Sequence, residues 1–312
     1  MAGNIYKPEG SLINSLDNKS AVYSNLSLEE AMREGKILEG IATVCEEGMN
    51  LCVNLGSKSG IMPKEEVVYS HCGEAVKDIA VITRVGRAVS FKIIGFEKQG
   101  NTTVPILSRR LAQKECMENY LLKMRPGDII EAKVTHLEQF GAFVDIGCGI
   151  TSLLSIDCIS VSRISHPKDR LKVGMRIPVV VKSIDYDTGR IYVTHRELLG
   201  TWEENAERFK AGQTVSGIVR SIENYGVFVE IAPNLAGLAE LRDDICVGQI
   251  TAAYIKSIIP ERMKIKLVLI DSYQGEELPC EMKYFIDTNS VNHIDYWKYS
   301  PDCSDRIIET VF

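Results

Sequence analysis

The stretch FGAFVDI at residues 140–146 recurs as YGVFVEI at residues 225–231, 85 positions later. Each copy follows a glycine, Gly127 or Gly212, at the same distance. A phrase that returns at a fixed period indicates duplicated modules, here of fewer than about ninety residues each. The chain is therefore expected to be built from repeats, and its function to depend on what each copy keeps or loses.

Alternation along these stretches predicts an aromatic side chain on the solvated face of each strand. Val144 and Ile146 are apolar and share one side, so Phe143 lies on the other side together with Asp145. Phe228 takes the same place in the second copy, beside an acidic residue. We expect this face to be wet in both copies.

A second aromatic residue, Phe140 or Tyr225, stands three positions earlier in each copy. The glycine after it can relax the strand into a bulge and turn both rings to the same face. One isolated ring is better explained by packing against a neighbouring module. The repeated pair on a polar face favours base stacking, where each stacked base contributes about 1–3 kcal/mol.

Residues 127–198 resemble the S1 RNA-binding repeat, the five-stranded OB-fold barrel named after ribosomal protein S1 of the bacterial small subunit. Residues 212–271 resemble a second, shortened copy, and residues 35–109 a third and more diverged one. The matching sequence of the middle repeat comprises Gly127-Asp128, FGAFV at 140–144, RISHP at 163–167, KVG at 172–174, Ile184-Asp185 and GRI at 189–191.

The resemblance implies an all-β protein of three tandem five-stranded OB-fold barrels joined by short helical connectors. Capping boxes at Ser27 to Glu30 and at Thr201 to Glu204 predict the starts of two connecting helices. The expected organisation is a mobile N-terminal segment (1–26), a diverged barrel (27–110), a helical linker (111–126), an RNA-binding barrel (127–198), a second helical linker (199–211), a shortened barrel (212–271) and an aromatic tail (272–312).

The tail carries seven aromatic residues and is expected to pack as a flap over the third barrel. A direct RNA or protein contact through Trp297 is the alternative.

Carried over position by position, the resemblance implies RNA contacts from Phe140, Phe143, Asp185 and Arg190. Ser155 stands where the family usually has a histidine, and its hydroxyl can still donate to phosphate. The third barrel has Glu240 there, which would repel phosphate. The middle barrel is therefore expected to be the stronger site, with Tyr225 and Phe228 forming a secondary one.

A basic loop in the middle repeat is the candidate phosphate strip. Its members Arg163, His166 and Lys168 are expected to contact RNA, with Arg170 and Lys172 close by. A solvated loop partly neutralised by Asp169 explains the same charges equally well.

The first barrel lacks the aromatic pair, because Met49 and Cys52 stand in place of Phe140 and Phe143. Its fold should persist without the nucleic-acid face. We expect it to dock a protein, such as the small ribosomal subunit, or to serve as a spacer.

Composition limits the remaining possibilities. Lys plus Arg number 36 against 42 Asp plus Glu, so the net charge of −6 leaves stacking to carry much of any RNA affinity. The nine cysteines show no Cys-x-x-Cys pair, which predicts free, mostly buried thiols, no metal site and a reducing cytoplasm. No signal peptide or membrane-spanning stretch is recognised, so no membrane partner is expected.

An enzyme is not expected. The sequence has no phosphate-binding loop of Walker type and no Gly-x-Ser-x-Gly motif. His136 and His195 are interpreted as half-buried strand residues, although a shared site between them stays open. We therefore expect no catalytic residue, cofactor, metal or small-molecule substrate.

The function implied is binding of single-stranded messenger RNA in translation, by a short three-repeat protein of the ribosomal protein S1 family. A scaffolding protein whose barrels mainly bind proteins, or an RNA-stability factor working beside a separate nuclease, are the alternatives.

Overall fold

The computed structural model describes residues 5–56, 58–71, 73–100, 102–275, 282–288 and 290–312. Three closed five-stranded barrels follow one another along the chain. In each barrel the first strand pairs with the second, the second with the third, the third with the fifth, and the fifth with the fourth. This order is that of the OB-fold, a Greek-key barrel.

The first barrel consists of β1 (Leu38–Cys45), β2 (Leu51–Asn54), β3 (Ser59–Met62), β4 (Ala88–Gln99) and β5 (Thr102–Ser108). The second consists of β6 (Ile129–Glu138), β7 (Gly141–Asp145), β8 (Thr151–Ser155), β9 (Arg176–Asp185) and β10 (Arg190–Thr194). The third consists of β11 (Thr214–Glu223), β12 (Gly226–Ala232), β13 (Leu235–Ala239), β14 (Ile250–Ile259) and β15 (Lys264–Tyr273). The tail adds a two-stranded sheet of β16 (Tyr296–Lys298) and β17 (Glu309–Val311).

The helices are short and lie between or beside the barrels: α1 (Leu16–Ala21), α2 (Asn25–Glu34), α3 (Asp78–Ile82), α4 (Arg109–Asn119), α5 (Ile156–Ile159) and α6 (Trp202–Ala206). Each barrel encloses a separate apolar core. Side chains that alternate along each strand form these cores. In β7, Val144 is buried in the core, whereas its neighbour Phe143 is half-buried.

The connecting helices begin close to where the sequence predicts them. Thr201 caps α6 with Glu204 in the expected capping box. Helix α2 starts earlier than predicted, because Ser24 is its N-cap and Ser27 completes the box from the third helical position.

Helix α4 also starts earlier, at Arg109, because the Ser108 hydroxyl accepts a hydrogen bond from the Leu111 amide. Its buried residues Cys116 and Met117 belong to the core of the second barrel. The helix therefore extends the core of the barrel that follows it.

The segment before α1, for which the sequence predicts mobility, lies folded between the first two barrels. Glu9 is buried and accepts hydrogen bonds from Arg109 Nε at 2.6 Å and Nη2 at 3.1 Å. Its amide donates to Asp145 Oδ2 at 2.7 Å, and Lys133 donates to its carbonyl at 2.8 Å. A polar composition suggested a solvated segment, but its polar groups instead satisfy buried partners.

Asp145 and Glu230, the acidic residues of the repeated phrase, correct another expectation. Sequence alternation places both on the wet face, but only 2% of Asp145 and 5% of Glu230 is exposed. The N-terminal segment covers Asp145, and the loop of the second barrel covers Glu230. Both carboxylates are therefore buried at a junction with the preceding part of the chain.

The junction of the second and third barrels is ionic. Glu230 pairs with Arg170 of the second barrel and with Arg220 of its own barrel, whose Nε lies 2.5 Å from Glu230 Oε2. Arg220 Nη1 also lies 3.6 Å from Asp169 Oδ2. Nearby, Asn234 Oδ1 accepts a hydrogen bond from the Val161 amide at 2.7 Å.

The tail packs on the third barrel, as expected. Trp297 and Tyr299 are buried in its core, and the Trp202 amide donates to the Tyr299 carbonyl at 2.9 Å. The tail also returns to the second barrel, where His293 Nδ1 lies 2.6 Å from Asp128 Oδ1. Burial of Trp297 leaves little of its ring for a direct RNA contact.

The cysteines of the described part are free thiols, of which Cys116, Cys148 and Cys158 are buried. Cys246 and Cys303 are exposed, so the thiols are less uniformly buried than predicted. Two further cysteines of the sequence, Cys72 and Cys280, lie outside the described residues.

Asp145 should make stability fall as pH rises from about 4 to about 7. Burial, with the neighbouring charge of Glu9, raises the pKa of the folded carboxyl from 3.8 to about 7. The raised pKa contributes stability that is fully present below the pKa of the carboxyl in the unfolded chain. This contribution is lost as the pH rises through the pKa of the carboxyl in the folded protein. The slope should approach about 1.4 kcal/mol per pH unit within that window.

Urea unfolding of wild type and Asp145→Asn at several pH values checks this, because the amide does not titrate and should flatten the slope. Asp187→Asn, which removes an exposed carboxylate, is the control. Equal slopes in wild type and Asp145→Asn would contradict the assignment.

Candidate nucleic-acid interface

A row of side chains crosses the outer face of the second barrel. Residues paired directly across neighbouring strands point to the same face of a sheet. His136 pairs with Phe143, Phe143 with Leu153, and Leu153 with Tyr192. These four side chains form the outer row, and Tyr192 is 37% exposed within it.

Phe140 lies beside the outer row, immediately before β7, and is 55% exposed. Its ring stands edge-on to Phe143, with centroids 6.0 Å apart and planes at 89°. Tyr225 and Phe228 repeat this arrangement at 6.0 Å and 90°. Both rings of each pair lie on the same side, as the sequence predicts.

The bulge that permits this arrangement is not at Gly141. The register shifts on the opposite strand, between Val134 and His136. Gly141 is required for a different reason, since an added Cβ would lie 2.5 Å from the carbonyl oxygen of Leu154. The glycine therefore allows close approach of β7 and β8.

His136 belongs to the outer row, although the sequence interpretation made it half-buried. Its ring stacks on Phe143 with centroids 6.4 Å apart and planes at 26°, and its Nε2 lies 2.7 Å from Glu138 Oε1. The bulge in β6 sets its position, and sequence periodicity does not reveal that bulge.

His195 shares no site with His136, because it is completely buried. Its Nδ1 lies 3.2 Å from the Ile159 carbonyl oxygen, and its Nε2 lies 3.2 Å from the Tyr284 hydroxyl. Burial lowers the pKa of His195 to about 4. The imidazole is therefore neutral near pH 7 and has a structural role.

Tyr192 is a residue that the sequence analysis missed. The signal was present, because Ile191 and Val193 are apolar on either side of it. Both neighbours are buried, which leaves the tyrosine outside.

Arg190 lies two positions before Tyr192 on the same side of β10 and is exposed. It pairs across the hairpin with Asp185. The Asp185 carboxylate accepts hydrogen bonds from the Thr188 hydroxyl at 2.6 Å and amide at 3.2 Å, which lower the pKa of Asp185. Asp185 therefore closes the turn, and Arg190 presents the positive charge.

Ser155 pairs with Gly141 and lies next to the aromatic pair. The residue after it, Ile156, donates its amide to the Phe140 carbonyl at 2.9 Å. The Ser155 hydroxyl hydrogen-bonds the Asp157 carboxylate and lowers its pKa. In the third barrel, Glu240 directly follows β13 at the equivalent place.

The basic loop is only partly a solvated strip. Arg163 and Lys168 are exposed, as is Lys172. Arg170 is buried in the ion pair with Glu230, which corrects its assignment to the strip. His166 Nδ1 accepts the Lys168 amide at 3.0 Å and so caps the short turn that follows.

The outer face of the first barrel is aliphatic. Cys52 pairs with Val44 and with Ile61, and Ile61 pairs with Ile106. Cys52 thus occupies the place of Phe143, as predicted, and none of these four positions carries an aromatic ring.

The third barrel is more basic than expected. Its outer row consists of Ser221, Phe228, Leu238 and Lys266 in cross-strand register. Lys266 takes the place of Tyr192, so the row pairs an aromatic ring with an exposed ammonium group.

Two features are absent from the part of the chain that the structure describes. No group of three or more His, Cys, Asp and Glu side chains is arranged to hold a metal ion. No helix in the same part of the chain is long and apolar enough to span a bilayer.

The barrels and their aromatic faces define a protein built from serial OB-type domains. The S1 RNA binding domain family matches residues 123–196, which include all five strands of the second barrel. The chain is a member of the S1 family.

Relatives in that family match across the barrels. The chain is 30% identical over 221 residues to the small ribosomal subunit protein bS1 of Staphylococcus aureus, covering 69% of this chain and 54% of that protein. It is 27% identical over 293 residues to the bS1 homolog of Bacillus cereus, and the match covers 91% of this chain and 72% of that protein. It is 29% identical over 258 residues to the bS1 homolog of Bacillus subtilis, and the match covers 80% of this chain and 63% of that protein. The chain spans about half the length of the Staphylococcus relative.

Gly141→Ala should destabilise the protein by about 1–3 kcal/mol, because its Cβ would force β7 and β8 apart. Urea unfolding followed by circular dichroism measures the effect. Gly95→Ala is the matched control, since an added Cβ there meets nothing within 4 Å. A Gly141→Ala protein as stable as wild type would contradict the close-approach argument.

Proposed function

We propose that the chain binds single-stranded RNA, and messenger RNA in particular, and acts in translation. The observation that carries the proposal is the edge-on pair of exposed Phe140 and half-buried Phe143 beside Tyr192 on one barrel face. Exposed aromatic rings on an OB-fold sheet offer stacking platforms that accept every base. The second barrel is the principal site.

The charges near this face suit a phosphate backbone. Arg190 stands on the same strand as Tyr192, and Arg163 and Lys168 are exposed on the adjoining loop. The net charge of −6 makes unspecific attraction to RNA weak, so local cations and stacking supply the affinity. Ser155 lies beside the rings on the same face, where its hydroxyl hydrogen-bonds the Asp157 carboxylate.

The third barrel is proposed as a second RNA site. Its pair of Tyr225 and Phe228 has the same edge-on geometry as the first pair. Lys264 and Lys266 on β15 provide cations where the second barrel has Arg190 and Tyr192. Two sites on one chain increase the effective affinity for a strand long enough to reach both.

The names of the relatives support a role on the small ribosomal subunit in the cytoplasm. We propose that the first barrel makes that contact, because its outer row of Val44, Cys52, Ile61 and Ile106 is apolar and lacks stacking rings. The same apolar face favours the scaffolding alternative for the first barrel alone. Binding without catalysis accounts for the aromatic pairs, the cations beside them and the apolar face of the first barrel.

Phe140→Ala combined with Phe143→Ala should weaken binding of a labelled single-stranded RNA of about 12 nucleotides by at least about thirtyfold. Each ring removed forfeits one stacked base. Fluorescence anisotropy titration measures the dissociation constant, and circular dichroism confirms the fold. The salt dependence of wild-type binding should be shallow, because only a few cations contact phosphate and stacking releases no counterions.

Tyr254→Ala combined with Tyr273→Ala is the matched control, since both rings are exposed on the third barrel outside the aromatic pairs. This variant should bind RNA like wild type. Absence of RNA binding by wild type at low salt would refute the proposed function.

Tyr192→Ala should weaken RNA binding by about five- to 150-fold, and Tyr192→Phe should retain most of it. The phenyl ring keeps the stacking surface and loses only the hydroxyl. The same anisotropy titration distinguishes the two variants. Equal loss in both would assign Tyr192 a hydrogen-bonding role instead.

A further inference from the structure

A cavity of about 360 Å³ opens at the aromatic pair of the third barrel. The second barrel, the connecting helix α6 with Trp202, the third barrel and the tail all contribute to it. Residues 161–163 come from the second barrel, Tyr225 and Phe228 from the third, and Tyr299, Arg306 and Ile308 from the tail. The aromatic pair of the third barrel is therefore the wall of a pocket.

The lining of this pocket is strongly positive. Arg163, Arg220, Arg262 and Arg306 line it, against the single carboxylate of Glu223. Arg220 is committed to Glu230 at the barrel junction. Arg163 Nη1 lies 3.6 Å from Glu223 Oε1, and its side chain is 83% exposed.

The guanidinium groups of Arg262 and Arg306 are available to a ligand. Across the described residues, neither group has a hydrogen-bond or ion-pair partner. Both arginines line the pocket, and the residues that precede them are joined, because the Asp305 amide donates to the Glu261 carbonyl at 3.4 Å. Guanidinium groups that line a pocket beside aromatic rings are suited to a phosphate joined to a planar group.

The inner wall of the pocket is apolar and rigid. Trp202 and Tyr299 are 3% and 5% exposed, and the Tyr299 hydroxyl donates to the Asn234 carbonyl. Tyr225, at 66% exposed, keeps a ring face open because Phe228 meets it edge-on. The volume lies at the lower end of the range for small-ligand pockets, which suits one nucleotide.

We propose that this pocket binds a single phosphorylated nucleoside. The base stacks on Tyr225, and Arg262 and Arg306 hold the phosphate, with Arg163 at the rim. The inference deepens the proposed RNA binding and rests on it for the chemical class of the ligand. It assigns the tail a direct part in binding, through Arg306.

The test uses the full chain and isothermal titration with adenosine 5′-monophosphate and with adenosine. Wild type should bind the monophosphate saturably and adenosine about tenfold or more weakly, because adenosine forms no charge-assisted hydrogen bonds with the arginines. Arg262→Ala combined with Arg306→Ala should weaken monophosphate binding by about tenfold or more.

Lys210→Ala combined with Lys256→Ala is the control, since it removes two exposed charges from the same barrel and its connector outside the pocket. It should leave monophosphate binding unchanged. Absence of monophosphate binding by wild type, or equal binding by the double arginine variant, would overturn the inference while leaving the 12-nucleotide result intact.

Competition identifies the source of the nucleotide. Unlabelled 12-nucleotide RNA with a 5′-phosphate displaces the monophosphate better than the same RNA with a 5′-hydroxyl if the pocket takes a strand end. Equal displacement by both indicates an internal nucleotide. Displacement by neither RNA would overturn the link to RNA that the inference assumes.

Discussion

The buried carboxylate at the end of the second strand is the contact on which the arrangement of the barrels depends. In the repeated phrase it is Asp145 in one copy and Glu230 in the next. Asp145 accepts the amide of Glu9, whose own carboxylate pairs with Arg109. Glu230 pairs with Arg170 from the preceding barrel. Each acid thereby ties its barrel to the part of the chain before it, and breaking either contact would leave a buried polar group without one of its partners.

The repeated sequence motif therefore makes two kinds of contact, one near each end of its strand. The aromatic residues at its start face outward toward a ligand, and the acid at its end faces a neighbouring domain. The equivalent residue of the first barrel is Asn54, which is exposed and accepts a hydrogen bond from the amide of Gly56. The first barrel has lost both the rings and the buried acid, which is consistent with a separate role for it.

The sequence predicts the barrels through the resemblance to the S1 repeat, and the aromatic pairs through local alternation and a repeated phrase. It does not predict the burial of Asp145 or Arg170, since each is covered by a segment distant in sequence. His136 was misplaced because a single bulge in β6 decides which way it faces. The arginine pocket depends on Arg163, Arg262 and Arg306 meeting from three segments, and no sequence period links them.

The ionic junctions also limit how far each repeat is an independent unit. A second barrel cut at residue 127 would lose Glu9 and Arg109, so Asp145 would face water without its partners. A third barrel cut at residue 212 would lose Arg170 and Asp169 in the same way, and Trp202 with them. The structural unit of this protein is therefore a barrel together with the segment of the preceding barrel or connector that packs against it. The N-terminal boundary of that unit lies before the start of the sequence repeat.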